Sequence, residues 1–412
     1  MPFHIHTRIF RDFGNAVLVS AFANPRLTDA MDFFVEAPDR TLVLDGYPFF
    51  EDYDPDKNWM GQILDGFRTH GKREIFRKLR GDYCYVEHRP EAVFAAGDFS
   101  GFNPIYAYEA DGMIAFSNRQ KLLHQMLNPK GAVRIDPRAF AWVTAQSSVF
   151  GAASPYEGVR LIQSSRYAVI RDGELSFGGF PRFYLDEKYK SRDPHSLVSD
   201  AATAITNQAN VYQKLPLPNS TLDLTGGKDS RTVLAIAMQT GMMSKIDEVS
   251  TIGTDDNPEV LVARALADKL GLKNYRNIVN NRDITMRPSD FSADDAKAFW
   301  RGLRQRVTVF DGILSPGLGA SVSRSTTLNF TGTGGEVFGN IRTGPGSRLT
   351  TVEETHAWVE NCQMALDPLG VEREGLKKWQ RAQLRRLVDT YIASGVPLND
   401  IQYLIWLESR FP

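Results

Sequence analysis

The chain has 412 residues, with 48 basic and 49 acidic side chains and a net charge of −1. That balance gives no global electrostatic case for nucleic acid or an anionic membrane as a partner. At roughly 100–200 residues per domain the length predicts two or three domains, and a hydrophobic share of 42% supplies the apolar material for more than one core.

Cys84 and Cys362 are too few for a disulfide framework and fit a reducing compartment. The opening MPFHIHTRIF lacks a basic segment followed by an apolar run, and no stretch approaches the ~20 apolar residues that span a bilayer. The expectation is a soluble, cytoplasmic protein with no membrane partner.

Residues 1–190 read mainly as β. Short apolar runs at Thr41–Leu44, Tyr83–Glu87, Ala92–Ala96, Ile105–Tyr108 and Met113–Phe116 are separated by Asp, Gly, Asn and Pro. Helical patterns lie between them at Trp59–Phe67, Lys121–Met126 and Pro137–Val143, with Asn118 as N-cap of the second. Strands follow at Tyr167–Ile170 and Glu174–Phe177. The charge-dense Tyr184–Pro194 reads as a solvated linker and the domain boundary. His4 and His6 would share a strand face, but no third ligand is near in sequence, and an ordinary strand is expected.

From Ser196 helix and strand alternate. A helix is predicted over Leu197–Val211, a strand over Thr221–Leu224, and a helix over Arg231–Thr240 closed by Gly241 at C′. A strand fits Glu248–Ile252. Asn257 and Pro258 then cap and open a helix whose Leu261, Ala265, Leu266 and Leu270 are expected on its buried face, with Gly271 ending it. Another strand fits Thr327–Thr331, and Val352–Leu366 and Leu376–Ala393 read as helices. The basic run Lys377–Arg386 is expected to be a solvated helix face. This alternation predicts a mostly parallel sheet covered by helices.

The chemistry concentrates in TLDLTGGKDSRTVLAIA, Thr221–Ala237. Gly226 and Gly227 let backbone N–H groups approach an anion with no Cβ in the way. The following helix directs its positive end at the same spot. Thr225 and Ser230 add hydroxyls, and Asp229 is an acid placed to hold Mg²⁺ against phosphate oxygens. Lys228 does not have the spacing of the kinase- or GTPase-type loop and receives no catalytic role. A second strand ends in NFTGTGGEVFGN, Asn329–Asn340, with Glu336 as its acid. Two such turns at two strand ends of one sheet could face each other across a nucleotide.

At these residues the chain resembles the asparagine synthetase family of ATP pyrophosphatases. TGGKDS is similar to that family's SGGxDS loop, with Thr225 in place of serine, and GTGGEVF resembles its second glycine-rich acidic motif, with the single acid Glu336 where two are usual. GDYCYV at Gly81–Val86 and GDFSGFNPIYAYEADGMIAFSNRQKLL at Gly97–Leu123 are similar to its amidotransferase hallmark. The resemblance implies an α/β protein: an Ntn-type α+β amidotransferase-like domain over 1–190, then a PP-loop ATP pyrophosphatase domain over 191–412. It further implies ATP and Mg²⁺ as cofactors, with Asp229 and Glu336 as catalytic and metal-binding acids. Leu224, Thr225, Gly226, Gly227, Asp229, Ser230, Ile252, Thr331 and Gly332 would line the nucleotide site.

Two departures shape the expected reaction. Glutamine-using members begin with a nucleophilic cysteine, whereas here Pro2 follows Met1. The resemblance is therefore to members without it, such as β-lactam synthetases and lasso-peptide cyclases, which draw the amine from their substrate. The sequence also stops at Glu408–Pro412, where the family's pyrophosphate-gripping lysine segment would be entered, so a C-terminally truncated domain is expected. The expected function is adenylation of a small-molecule or peptide carboxylate and displacement of AMP by an amine, with a homodimer as one open arrangement. Alternatives are an asparagine synthetase using ammonia or glutamine, and an inactive scaffold.

Overall fold

The computed structural model describes residues 6–12, 17–22, 34–99, 101, 103–110, 112–118, 120–127, 134–146, 151–180, 192–215, 220–278, 328–332, 349–364 and 374–409. It is a mixed α/β protein in which an antiparallel, layered first half precedes a parallel sheet with helices.

Strands β1 (His6–Asp12) and β2 (Val17–Phe22) pair antiparallel. Then come β3 (Phe34–Ala37), β4 (Arg40–Gly46), β5 (Phe49–Phe50), α1 (Trp59–Thr69), α2 (Lys72–Lys78), β6 (Leu79–Arg80), β7 (Tyr83–Arg89), β8 (Ala92–Gly97), β9 (Ile105–Ala110) and β10 (Met113–Ser117). Helices α3 (Gln120–Leu127) and α4 (Pro137–Gln146) lead to β11 (Val159–Ile162), β12 (Arg166–Arg171) and β13 (Glu174–Gly179). Six strands form one sheet in the order β13-β12-β8-β7-β4-β3, and β10-β9-β11 form another.

Period-two alternation sorts their side chains into layers. Tyr83 and Tyr85 of β7 join Trp59, Ile63 and Phe67 of α1 and Phe76 of α2 in one core. Cys84, between them, points the other way and meets Ala95, Ile105, Ala107, Ile162 and Ala168. Small side chains at this seam let the two sheets close on each other. Tyr106 and Tyr108, on the far face of β9, pack with Leu123 of α3. The layers therefore run helices, six-stranded sheet, three-stranded sheet, helix. Asn118, expected to cap α3, donates its side-chain amide to the Asp45 carboxylate.

His124 of α3 is buried, and its Nε2 accepts the Arg134 N–H at 3.0 Å. Burial holds its pKa below the ordinary histidine value, although the Glu157 side pulls the other way and Arg134 adds to the depression. The folded state thus favours neutral imidazole. As the pH falls below about 6.5 the unfolded chain binds a proton that the folded chain does not, so stability is lost with acidification. His124→Gln is expected to flatten the fall in urea midpoint between pH 7.5 and 5.5; an unchanged slope would show that His124 does not contribute to it.

The second half opens with α5 (Pro194–Lys214). It starts three residues earlier than its apolar pattern predicts, because Asp193 accepts the Ser196 N–H at 2.9 Å and Pro194 occupies the first turn. Asp193 and Pro194 are thus cap and helix rather than linker, and residues 184–191 of the expected linker lie outside the described residues. Next come β14 (Ser220–Asp223), α6 (Lys228–Gln239), a 3₁₀ turn at Met242–Lys245, β15 (Ile246–Ile252), α7 (Pro258–Leu270), β16 (Tyr275–Ile278) and β17 (Leu328–Phe330). All pairings are parallel, in the order β16-β15-β14-β17. Leu222, Leu224 and Val249 pack against Ala209 of α5, Leu234 and Ala237 of α6 and Ala263 of α7.

The predicted buried stripe of α7 is corrected. Val260, Ala263 and Ala267 are buried and Leu266 packs, partly buried, against the core, whereas Ala265 is exposed and Leu261 and Leu270 are 49% and 38% exposed. Alanines allow the helix to lie close to the sheet, and that close approach overrides the pull of the leucines. α5 serves both halves: Leu215, just past its end, lies in the first core, and Tyr212 sets its ring edge-on to Phe49 at 5.3 Å and to Phe330 at 5.9 Å.

Helices α8 (Val352–Met364), α9 (Glu374–Ala393) and α10 (Leu398–Ser409) close on their own core of Val359, Leu384, Val388, Tyr391, Ile401 and Ile405. Trp142 of α4 belongs to that core, edge-on to Trp379 at 5.4 Å. Within the basic run on α9, Arg381 and Arg385 reach Glu360 of α8 at 3.6 and 2.6 Å. Among the described residues no helix is long and apolar enough to cross a membrane.

Candidate functional site at the sheet's switch point

From β14 the chain moves outward through α6 to β15 and through α7 to β16, and β17 then pairs on the opposite side of β14. The direction of winding reverses between β14 and β17. In an open parallel sheet the carboxyl ends of such a strand pair frame a ligand crevice. Both predicted glycine turns leave these strands.

The first turn is built from its own hydroxyls. Ser230 Oγ accepts the Thr225 N–H at 3.0 Å, and Thr225 Oγ1 accepts the Gly227 N–H at 2.9 Å. Both hydroxyl oxygens accept from the loop's own backbone, and Ser230 Oγ also lies 3.3 Å from the Thr225 and Gly227 carbonyl oxygens as a donor, so they hold the loop's shape. Leu224 donates its N–H to Ser250 O at 2.8 Å and accepts from the Thr251 hydroxyl, so its backbone is taken up by β15. Ile252, at the end of β15, is 57% exposed and offers an apolar surface beside the strand ends.

Helix α6 begins at Lys228, three residues earlier than predicted, with Gly227 as N-cap and no side chain capping it. The N–H groups of Lys228, Asp229 and Ser230 therefore sit in the first turn, where a helix supplies no carbonyl partner. Lys228 is exposed, while Asp229 is half-buried. A Cβ on Gly226 would lie 3.2 Å from the Glu259 Cα, so the loop is pressed against the start of α7.

Thr331 and Gly332 follow β17. A Cβ on Gly332 would lie 2.6 Å from Ser230 N and 2.8 Å from the Asp229 carbonyl carbon. Gly332, where the second turn begins, is thus packed against the N-terminus of α6, about a hundred residues away in sequence. Glu336, the acid expected in the second turn, lies outside the described residues, as does His4. Among the described residues no group of three metal-ligating side chains occurs. Of the two acids expected to hold a metal, Asp229 is the one among the described residues.

One residue escaped the sequence reading. Asp223, the last residue of β14, accepts from Asn329 Nδ2 of β17 at 2.9 Å, and Thr221 Oγ1 donates to Asn329 Oδ1 at 2.9 Å. Burial raises the Asp223 carboxyl above its ordinary value, offset in part by the Asn329 hydrogen bond. The available signal was an acid interrupting an apolar strand, Thr221–Leu224.

No protein-family model matches the chain, and no curated protein sequence matches it. Among solved structures, glutamine phosphoribosylpyrophosphate (PRPP) amidotransferase from B. subtilis, complexed with ADP and GMP, is similar at a TM-score of 0.23 and 11% identity, over 66% of this chain and 52% of its own. The chain spans about half the length of that structure.

Proposed function

We propose that this protein is an ATP-dependent carbon–nitrogen ligase that adenylates a substrate carboxylate and lets an amine displace AMP. The observation that carries the reading is the uncapped N-terminus of α6, braced by Gly332 at the switch point. The residues fit a triphosphate. Glycine at 226 and 332 keeps side chains out of the contacts, and the first-turn N–H groups at Lys228, Asp229 and Ser230 are donors for phosphate oxygens.

In the first step a carboxylate oxygen attacks the α-phosphorus and the bond to pyrophosphate breaks. The α6 amides and helix dipole stabilise the charge that develops on the leaving group. Mg²⁺ held at Asp229, when bound, would neutralise more of it. In the second step an amine nitrogen attacks the acyl carbon, the C–O bond to AMP breaks, and the nitrogen loses a proton. The remaining catalysis is alignment of the two reactants. Cys84, buried at the sheet-to-sheet seam, argues against glutamine hydrolysis by that thiol.

The test is ATP–pyrophosphate exchange with Mg²⁺ across a panel of amino acids, keto acids and dicarboxylic acids. Carboxylate-dependent exchange with at least one acid is expected. No exchange, together with no ATP binding in a calorimeter, would replace the ligase by a scaffold.

A further inference from the structure

We infer that Asp223 receives the incoming amine as its ammonium ion and takes a proton from it, so that the acceptor is a protonated primary amine. The inference rests on the ligase reading and names the nucleophile of its second step.

Asp223 closes β14 two residues before Thr225, and its partner Asn329 lies on β17 two residues before Thr331. The acid therefore sits beneath both glycine turns, between the two strands that define the switch point. Strand alternation turns it away from Leu222 and Leu224, which are buried against the helices, to the opposite face of the sheet.

Its orientation is fixed. A carboxylate only accepts, so Asn329 must present its NH₂ to Asp223 and its oxygen to Thr221, whose hydroxyl then donates. Asn329 occupies Oδ2, and among the described residues no group engages Oδ1 and no Lys, Arg or His pairs with the acid. A half-buried carboxylate without a cation is costly unless a ligand supplies one. Burial also moves it toward the range of a useful base.

The step balances. An ammonium N–H proton passes to Asp223 Oδ1, and the nitrogen lone pair so released forms the C–N bond as AMP leaves with the C–O electron pair. The second nitrogen proton goes to solvent.

The experiment uses the full chain, Mg-ATP and the carboxylate with the highest exchange in the panel above. Amide formation is measured with ethylamine, protonated at pH 7, and hydroxamate formation with hydroxylamine, neutral at that pH. Asp223→Asn is expected to slow the alkylamine reaction ~100-fold, the low end of general-base catalysis, and the hydroxylamine reaction less than threefold. Raising the pH toward the amine's own pKa narrows the deficit. Equal loss with both nucleophiles would make Asp223 only a pin between β14 and β17, and no loss with either would remove it from the reaction; both overturn the inference while leaving the ligase standing. Wild-type protein that traps hydroxylamine but does not use ethylamine also overturns it. Absence of exchange with every carboxylate removes the ligase and this inference together.

Discussion

Asp229→Ala is expected to abolish magnesium-dependent ATP–pyrophosphate exchange, a loss of ~10³-fold or more on the scale of removing a principal source of transition-state charge stabilisation, while tightening the binding of magnesium-free pyrophosphate. The two effects have opposite signs for one reason. Asp229 stands in the first turn of α6, among the N–H groups that would bind phosphate. A carboxylate about 5 Å from a phosphate charge costs about 3 kcal/mol per charge pair at an effective dielectric near 20. An acid in an anion cradle is therefore a handicap unless a cation sits between them. With Mg²⁺ present the acid would anchor the metal, and without it the acid would repel the ligand. The competing explanation is that Asp229 merely complements the helix dipole, worth about 0.3–1 kcal/mol of stability. Under it the alanine variant loses a little thermal stability and keeps its exchange. Calorimetry with pyrophosphate, with and without Mg²⁺, separates the two. Full exchange in Asp229→Ala would defeat the assignment of this loop.

Local chemistry made much of this fold legible. Asn257 accepts the Glu259 N–H at 2.9 Å and Pro258 opens α7 as its sequence predicts, because capping needs only neighbouring residues. Gly241 adopts the left-handed backbone expected after α6, with φ of 74°. Strands β7, β8 and β9 fall where their short apolar runs place them, since each buries both faces between layers. What escaped depends on partners distant in sequence. β16, Tyr-Arg-Asn-Ile, has no alternating pattern and is a strand because β15 pairs with it. The buried face of α7 follows from how closely the sheet lies beneath it. α5 and α6 start earlier than their apolar patterns predict because Asp193, Pro194, Lys228 and Asp229 are polar or helix-breaking in composition, yet each suits a helix start. At the site, the glycine loop announced itself through a strand, two glycines and a helix. The Asp223–Asn329 bond spans 106 positions, and nothing near either residue signals it.

Gly332→Ala is expected to weaken ATP and pyrophosphate binding tenfold or more, beyond what Gly226→Ala does. The comparison is steric. At 332 the new methyl would meet Ser230 N at 2.6 Å and Asp229 backbone carbon at 2.8 Å, and neither can swing aside because both belong to α6. The turn after β17 must retreat from the helix N-terminus. At 226 the nearest atoms are the Glu259 Cα at 3.2 Å and the Val262 Cβ at 3.4 Å, which a small shift of α7 relieves. Overpacking of the first kind costs about 1–3 kcal/mol, and each 1.4 kcal/mol carried into binding is tenfold in affinity. Thermal stability falls in both variants, so the melting temperature alone does not discriminate. The order of the two dissociation constants does, because only the 332 substitution separates the two glycine turns. If Gly332→Ala bound pyrophosphate as tightly as the parent while remaining folded, contact between the turns would be irrelevant to the anion, and the switch point of this sheet would not be its binding site.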